Sequence, residues 1–295
     1  MKKTLLTIWK PLAAVTFWGG SFIATKNLLG EISPLGVIYL RLILGIIFIA
    51  VVAKKRKRGF AINLPDLKGV FLLALIASFH LWIQVTGLQY TSAANTGWII
   101  GFAPVFMTIL GFLFFKEKIN LVQTSGIVIA FAGLLMLISK GDLSTLNIIS
   151  NKGDLMILTS AFTWSVYSLV GKKVTLSFPP IMTILYLFVM MLLIITPFTI
   201  NYENFNSVLN LSTTGWAAIF FLGILCSGLS YVIWAEAMKE MPANKVGAFL
   251  YLEPFVTVFA AWMFLAEEIT LLMMISGLVI IGGVILVNKK SKNEN

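Results

Sequence analysis

The chain is a succession of apolar runs of about twenty residues, separated by short polar segments. A helix of this length crosses the hydrocarbon core of a bilayer, and it bonds its own backbone polar groups where no water is present. With 59% apolar and 12% charged residues and a mean hydropathy of +0.95, the 295-residue chain has no stretch left for a sizeable soluble domain. We therefore expect an all-helical integral membrane protein.

Apolar runs that are bounded by proline, glycine, asparagine or charge predict ten transmembrane helices. Their predicted ranges are 11–29, 34–53, 67–88, 92–115, 120–139, 153–171, 179–200, 214–238, 243–265 and 270–288.

Lysine and arginine are concentrated in alternate loops. Eighteen of the 22 basic residues lie on the side of the N-terminus, whereas Lys26, Lys140 and Lys152 lie on the other side and Arg41 lies inside a helix. The positive-inside rule then predicts that both termini are cytoplasmic, in a multi-pass protein of a bacterial inner or plasma membrane. The formal charge of +10 thus sets orientation in the bilayer, and nucleic acid is not an expected partner.

The two halves of the chain carry the same pattern. A shift of 146 residues superposes Trp18 on Trp164 and Pro34 on Pro180. A shift of 150 residues superposes Ala93 on Ala243, Gly97 on Gly247, Pro104 on Pro254, Phe114 on Phe264, Glu117 on Glu267, Ile119 on Ile269 and Gly133 on Gly283. Chance similarity between apolar helices is the alternative, and the coincidence of tryptophan, proline, glycine and glutamate argues against it.

An odd number of helices per copy makes the second copy enter the membrane from the opposite side. The pattern therefore predicts two inverted-topology repeats, an architecture in which substrate binds near the midplane. The predicted division is a first five-helix repeat over 1–140, an extracytoplasmic linker over 141–152, a second repeat over 153–288 and a cytoplasmic tail over 289–295.

Several motifs recur in order along nearly the whole chain. They are Trp18-Gly-Gly-Ser-Phe, Pro34-Leu-Gly-Val-Ile-Tyr-Leu-Arg41, Tyr90-Thr-Ser-Ala-Ala through Pro104 to Glu117, Phe162-Thr-Trp164, and Leu252-Glu253-Pro254 through Glu267 to Gly277. These motifs resemble those of the ten-helix EamA-type branch of the drug/metabolite transporter superfamily. The resemblance implies a secondary carrier that exports amino acids or related small metabolites from a cavity lined by both halves.

Three ionisable residues lie near the predicted centre of the bilayer. At about 1.5 Å of rise per residue, Glu253, Arg41 and His80 come within roughly one helical turn of the same depth. One interpretation is a substrate or proton site, with Glu253 for a cationic group or a proton and Arg41 for a carboxylate. The other is an Arg41–Glu253 pair that braces two helices, with His80 as a hydrogen-bonded packing residue.

Aromatic and polar residues at helical spacing predict the walls of a central cavity. The repeat places a tryptophan on matching faces of the helices predicted over 11–29 and 153–171, and a glutamine lies one turn from His80. The alternative is that the tryptophans face lipid or anchor helix ends. The candidate wall residues are Trp18, Ser21, Gln84, Trp164, Tyr167 and Trp234.

Two symmetric prolines, Pro104 and Pro254, are candidate hinges, because each frees a carbonyl one turn earlier. The stripe Ala93, Gly97 and Gly101 is predicted to pack closely against another backbone.

Glutamates near the predicted helix ends are expected at the interface or in solvent. We expect Glu236 to be interfacial, with water or Lys239 as its partner. Glu117, Glu267 and Glu268 are expected to be solvated caps.

Catalysis is not expected from this composition. The chain has one histidine and one cysteine, Cys226, so it lacks the clustered metal ligands or the nucleophile and base that membrane enzymes use, and no cofactor or metal is expected. We expect a transporter of a small molecule in a lipid bilayer, with a proton as the candidate coupling ion. The alternatives are a membrane-embedded enzyme acting on lipid and a passive channel, and the pattern favours no particular oligomeric state.

Overall fold

A computed structural model describes residues 2–60, 64–115, 119–139, 151–173, 178–200, 202–240, 246 and 248–287. Within these ranges the chain is helical and contains no strand, as predicted. A π-helical segment (Phe221–Leu229) joins α10 to α11, and a 3-10 turn (Ala248–Leu252) precedes α12. The α-helices are α1 (Lys2–Leu28), α2 (Pro34–Lys55), α3 (Leu64–Leu88), α4 (Ala93–Ile100), α5 (Ala103–Phe115), α6 (Leu121–Ile138), α7 (Lys152–Lys173), α8 (Pro180–Thr199), α9 (Tyr202–Leu209), α10 (Thr213–Phe220), α11 (Ser230–Glu240), α12 (Glu253–Leu265) and α13 (Leu271–Val287).

Some predicted features lie outside the described residues. They are Glu117, Lys140, Ala243, Gly247, nearly all of the linker and the whole tail.

Five helical stretches in the described ranges are long and apolar enough to cross a membrane, and three further apolar helices are shorter. The helices α1 and α7 are as long but more polar. The five are Pro34–Lys55, Asp66–Leu88, Ala93–Phe114, Pro180–Thr199 and Thr213–Ala237, and the three are Leu121–Leu137, Phe249–Leu265 and Leu271–Val287. These stretches support the membrane class, while the ten spans, the inverted repeat and the cytoplasmic termini remain predictions.

Helix starts follow from local chemistry. Pro34 and Pro180 each occupy the first position of a helix, where a missing N–H costs nothing and the fixed φ suits the helix. Ser33 caps α2 by accepting the N–H of Gly36 at 3.1 Å. The two prolines are the pair that the 146-residue shift superposes.

Two predicted helices are interrupted in the structure. The stretch 92–115 breaks at Gly101 and Phe102, before α5 begins with Ala103-Pro104. The stretch 243–265 holds the 3-10 turn before α12 begins with Glu253-Pro254. Proline fits the first turn of a helix but not its interior, so each helix restarts at its proline.

Two further differences concern shorter segments. The predicted helix 214–238 contains the π-helical segment, and α9 was not predicted at all.

The helix α1 lies between two hydrophobic clusters. One cluster includes Trp18 of α1 with residues of α2, α3 and α8. The other includes Phe22 and Ile23 of α1 with residues of α4, α5, α6, α12 and α13. Residues one turn apart on α1 therefore belong to different clusters, and the seam between the clusters is where a cavity forms.

Candidate functional site

A small cavity of about 60 Å³ lies at this seam. It is bounded by helices from both halves of the chain and by the 3-10 turn. Its lining residues are Trp18, Ser21, Phe22, Arg41, His80, Leu81, Gln84, Ile100, Trp164, Tyr231, Leu250 and Glu253. We call this space the central cavity.

Most of the predicted site residues meet at the central cavity. Seven of the nine predicted binding or coupling residues line it. Tyr167 stacks on Trp164 at a centroid distance of 5.4 Å, and Trp234 contacts Trp18 at 5.2 Å, so both lie behind the lining. The seven are Trp18, Ser21, Arg41, His80, Gln84, Trp164 and Glu253.

Arg41 points its guanidinium at the cavity. The side chain is only 5% exposed, and its Nε–H donates to Ser227 Oγ at 3.0 Å. Its two terminal nitrogens donate to none of the described residues. A buried guanidinium with free donors is a site for an anionic group.

Glu253 faces the same cavity from the first turn of α12. It is 8% exposed, and its carboxylate accepts no hydrogen bond from the described part of the chain. Its backbone is held in place, because Thr257 Oγ1 contacts both Glu253 O at 3.0 Å and Gly19 O at 3.1 Å. These contacts fix the start of α12, and the Glu253 carboxyl group lines the central cavity.

Arg41 and Glu253 do not form an ion pair with each other. The ion pairs among the described residues join Lys10 and Arg56 to Glu236 and Glu240 instead. The alternative prediction that Arg41 braces α2 against α12 through Glu253 is therefore wrong in this conformation. Both side chains are left without an ion-pair partner among the described residues.

His80 is fixed by α7. Its Nδ1 lies 3.0 Å from Ser160 O, and a carbonyl oxygen only accepts, so Nδ1 carries the hydrogen. In the neutral imidazole Nε2 is then a hydrogen-bond acceptor. Gln84, one turn along α3, donates to Ser160 Oγ at 3.2 Å. His80 is thus a hydrogen-bonded packing residue and a cavity-lining residue at once.

Aromatic rings form a continuous wall. The indole N–H of Trp18 donates to Cys226 O at 3.0 Å. The Trp18 ring also meets Trp164 and Tyr231 at centroid distances of 6.4 and 5.4 Å, with edge-to-face geometry. Trp18 is buried, Trp164 is half-buried, and both line the central cavity, which favours the prediction that they are wall residues.

The two prolines border a second cavity of about 30 Å³ beside the first. Ile100 and Leu250, which precede Pro104 and Pro254 by four residues, line both cavities. Each proline frees the carbonyl of the residue one turn earlier. The two predicted hinge residues, Pro104 and Pro254, therefore lie at the two breaks in helix continuity that border the site.

The small-residue stripe of α4 packs against α12. A Cβ at Gly97 would lie 2.8 Å from the Cβ of Thr257, so the close approach requires glycine.

Glu267 differs from its prediction as a solvated cap, because its two carboxylate oxygens accept the N–H groups of Ala93 and Ala94 at 2.8 and 3.0 Å. It caps a helix of the other half.

The two ends of the bundle differ. At one end Lys10 of α1 lies 3.2 Å from the Glu236 carboxylate and 2.5 Å from that of Glu240, and Arg56 also pairs with Glu236. The expectation named water or Lys239 as the partner of Glu236; the structure adds Lys10 and Arg56, which are distant in sequence, while the Lys239 side chain lies outside the described part of the chain. We call this the Lys10 end.

A wide cleft of about 780 Å³ opens at the other end, which we call the Lys26 end. Lys26 donates to the carbonyls of Leu88 and Thr91 at 2.7 and 2.6 Å. The lining residues are Lys26, Gln89, Tyr90, Thr91, Ser92, Asn95, Leu137, Asn151, Glu267, Glu268, Thr270, Leu272 and Met273.

Ser227 and Tyr231 were missed by the sequence interpretation. The 150-residue shift places Leu81 on Tyr231, and both line the cavity, so the repeat carried a usable signal for Tyr231. Ser227 lies in the π-helical segment, which no periodicity predicts.

A family comparison decides the class. The profile of the EamA-like transporter family matches residues 5–139 and 151–289. The chain belongs to the EamA-like transporter family. It is thus a member of the drug/metabolite transporter superfamily, as the motifs suggested, and its family is one of transporters rather than enzymes.

Similar proteins support the EamA-like assignment over the full length. An uncharacterized transporter of Archaeoglobus fulgidus is 30% identical over 287 residues, which cover 96% of this chain and 99% of that protein. The uncharacterized transporter YyaM of Bacillus subtilis is 28% identical over 294 residues, with 94% of each chain covered. A protein known from a crystal structure shares the EamA-like fold with a TM-score of 0.68, 17% identity and 95% of each chain covered.

Proposed function

We propose that this EamA-like protein is a secondary transporter that exports amino acids or related small metabolites across the cell membrane by alternating access. The observation that carries the proposal is a pair of buried ionisable side chains on the central cavity, one basic and one acidic, that do not pair with each other. Arg41 and Glu253 are both more than nine-tenths buried, and neither neutralises the other. An ionised group at mid-bilayer costs about 3 kcal/mol, so each charge calls for a partner that is bound only at times.

A zwitterion supplies both partners. The α-carboxylate of an amino acid fits the two terminal nitrogens of Arg41, since a guanidinium accepts a carboxylate bidentately. The ammonium group fits the Glu253 carboxylate, and the Nε2 acceptor of His80 is available to a further N–H. The aromatic wall provides apolar contact for a side chain.

The volume of the cavity supports a conformational cycle. Ligand pockets for small molecules measure about 300–1,000 Å³, and the central cavity holds only a few water molecules at about 60 Å³. The cavity therefore has to expand to admit substrate. The cleft at the Lys26 end is the wider approach, and by the predicted orientation it faces outward.

Inverted repeats provide a way to make that change. The family profile matches two successive stretches, and the proposed equivalents Pro104 and Pro254 both lie at a helix restart beside the site. Rocking one repeat against the other would exchange the open end while the midplane site stays in place. Glu253 is then the residue for a cationic group or for a coupling proton.

The test is transport by Glu253→Gln in proteoliposomes. Radiolabelled amino acids are screened first, by counterflow exchange and by accumulation against a gradient with and without a pH difference. If Glu253 binds the ammonium group, the substitution abolishes both activities. If Glu253 carries only the proton, exchange persists and accumulation is lost.

Arg41→Gln is the companion variant, and it should abolish both activities because the carboxylate loses its partner. Gel filtration in detergent and recovery from the membrane check that each variant is inserted and folded. Full exchange and full accumulation in Glu253→Gln would contradict the proposed role of Glu253 in binding a cationic group or a proton. Flux through the unsubstituted protein that never exceeds equilibration, at any pH difference, would favour a passive channel instead.

A further inference from the structure

The orientation of Arg41 depends on a serine of the other half. The Arg41 Nε–H donates to Ser227 Oγ at 3.0 Å, and Ser227 is 1% exposed and does not line the cavity. A guanidinium is a rigid plane, so a bond at Nε fixes the rotation of the whole fork. The two terminal nitrogens, with four N–H groups, are left to face the cavity without an acceptor from the described residues.

Ser227 reaches Arg41 because the helix is locally π-helical. Over Phe221–Leu229 the backbone takes the wider turn, and the N–H of Ser230 reaches back five residues to Leu225 O. Bonds that reach back five residues widen the helical turn, so residues within the segment, Ser227 among them, take different directions around the axis from those in an α-helix. The segment thereby directs a hydroxyl at α2 that an unbroken α-helix would direct elsewhere.

Close packing brings the π-helical segment against the turn that carries Arg41. A Cβ at Gly223 would lie 2.5 Å from the Cβ of Leu44 and 3.2 Å from Arg41 O. Glycine at this position lets the two backbones approach to the distance that a short serine side chain can span. The contact between Arg41 and Ser227 is therefore built into the packing of the two halves.

We infer that Ser227 is a positioning residue for carboxylate recognition, which turns the guanidinium of Arg41 so that its terminal nitrogens receive a planar carboxylate end-on. The inference rests on the proposed function and deepens it by making the carboxylate of the substrate the group that is recognised across both halves. Ser227 itself touches no substrate.

The test compares acids with amides on the full-length protein. Binding of the twenty L-amino acids, and of the α-amide of each, is followed by the fluorescence of the cavity tryptophans. An amide keeps the side chain and the ammonium group but lacks the carboxylate. In Ser227→Ala we expect the affinity for the acids to fall about tenfold to a hundredfold, because a hydrogen bond to a charged group is lost. The affinity for the amides should not change.

Ser230→Ala is the matched control. Ser230 is a buried serine of the same helical stretch whose Oγ donates to Leu225 O at 2.7 Å, so its removal should leave acid binding unchanged. Ser227→Cys keeps the volume but offers only a weak acceptor, and it should behave like Ser227→Ala. An equal loss in Ser230→Ala, or an equal loss for acids and amides in Ser227→Ala, would assign the effect to packing and overturn the inference.

A double-mutant cycle separates this inference from the proposed function. In an Arg41→Gln background, Ser227→Ala should have no further effect on acid binding. If Arg41→Gln lowers acid affinity and Ser227→Ala does not, only the positioning role is wrong. If Arg41→Gln has no effect, or if no acid binds the unsubstituted protein, the proposed function itself is contradicted.

Discussion

At the scale of single residues, Arg41 and Glu253 are buried on the central cavity without an ion-pair partner among the described residues. Lys10 and Glu236 form an ion pair with each other, and the Glu267 carboxylate caps the N-terminus of α4. Among the described residues, the Arg41 and Glu253 side chains neither form an ion pair nor cap a helix. Because unpaired buried charge is costly, the sites that retain it are those where a ligand completes the pairing.

The Gly97 contact gives a residue-scale prediction of stability. Gly97→Ala should lower the free energy of unfolding by about 1–3 kcal/mol, because the added methyl group overlaps Thr257. Gly282→Ala is the matched control, since it lies in α13 with no atom within 4 Å of the added Cβ. Alanine should leave stability unchanged there or raise it by up to about 1 kcal/mol. Thermal unfolding in detergent compares the two, and equal midpoints would contradict the close packing.

Sequence reasoning reached the residues whose chemistry is unusual for a membrane. Glu253, Arg41 and His80 were found because ionisable side chains are rare in apolar runs, and Trp18 and Trp164 because the repeat aligned them. Ser227 was out of reach, since its position depends on a local change of helix geometry that an apolar run does not encode. The partners of Glu236 were missed because Lys10 and Arg56 are distant in sequence.

At the scale of helices, the Lys10 end is held by ion pairs that join Lys10 of α1, and Arg56 at the C-terminal cap of α2, to α11. These pairs cross from the first half of the chain to the second, so they have to break if that end opens. At the Lys26 end, a contact between the halves is a pair of hydrogen bonds to the backbone rather than an ion pair. There Glu267 accepts two backbone N–H groups of α4.

Glu236→Gln should loosen the Lys10 end. Each partly exposed pair contributes up to about 1 kcal/mol, so losing both pairs of Glu236 should lower the local free energy of opening by about 1–2 kcal/mol. Hydrogen exchange of the amides near Lys10 and Glu236 measures this, and added salt should reproduce part of the effect.

Glu268→Gln serves as the control for the ion-pair prediction. Glu268 is an exposed carboxylate on the cleft at the opposite end. Its substitution should leave exchange near Lys10 unchanged. Unaltered exchange in Glu236→Gln would mean that packing alone closes the Lys10 end.

At the scale of the whole molecule, the predicted orientation assigns the Lys10 end to the cytoplasm and the Lys26 end to the exterior. Two exposed glycines mark these ends, because Gly59 lies in the segment between α2 and α3 and Gly30 lies between α1 and α2. Both positions have room for a side chain. They allow the orientation to be tested without disturbing the core.

Labelling with a membrane-impermeant maleimide is the measurement. In intact cells Gly30→Cys should be labelled, and Gly59→Cys should be labelled only after the membrane is permeabilised. The native Cys226 is buried and should stay unlabelled in the folded protein, which provides the background control. The reverse pattern would invert the orientation and make the cleft a cytoplasmic one.

The acid of α12 has no counterpart in the proposed first repeat, where the 150-residue shift places Ala103 opposite Glu253. The inward-open and outward-open states would have symmetry-related backbones. The surroundings of the Glu253 side chain would nevertheless differ between the two states. The unloaded carrier would consequently prefer one state, and substrate would be bound with unequal apparent affinity from the two sides. The gradients of substrate and coupling ion would still decide the net direction of flux, while this asymmetry would decide at which concentrations each side saturates.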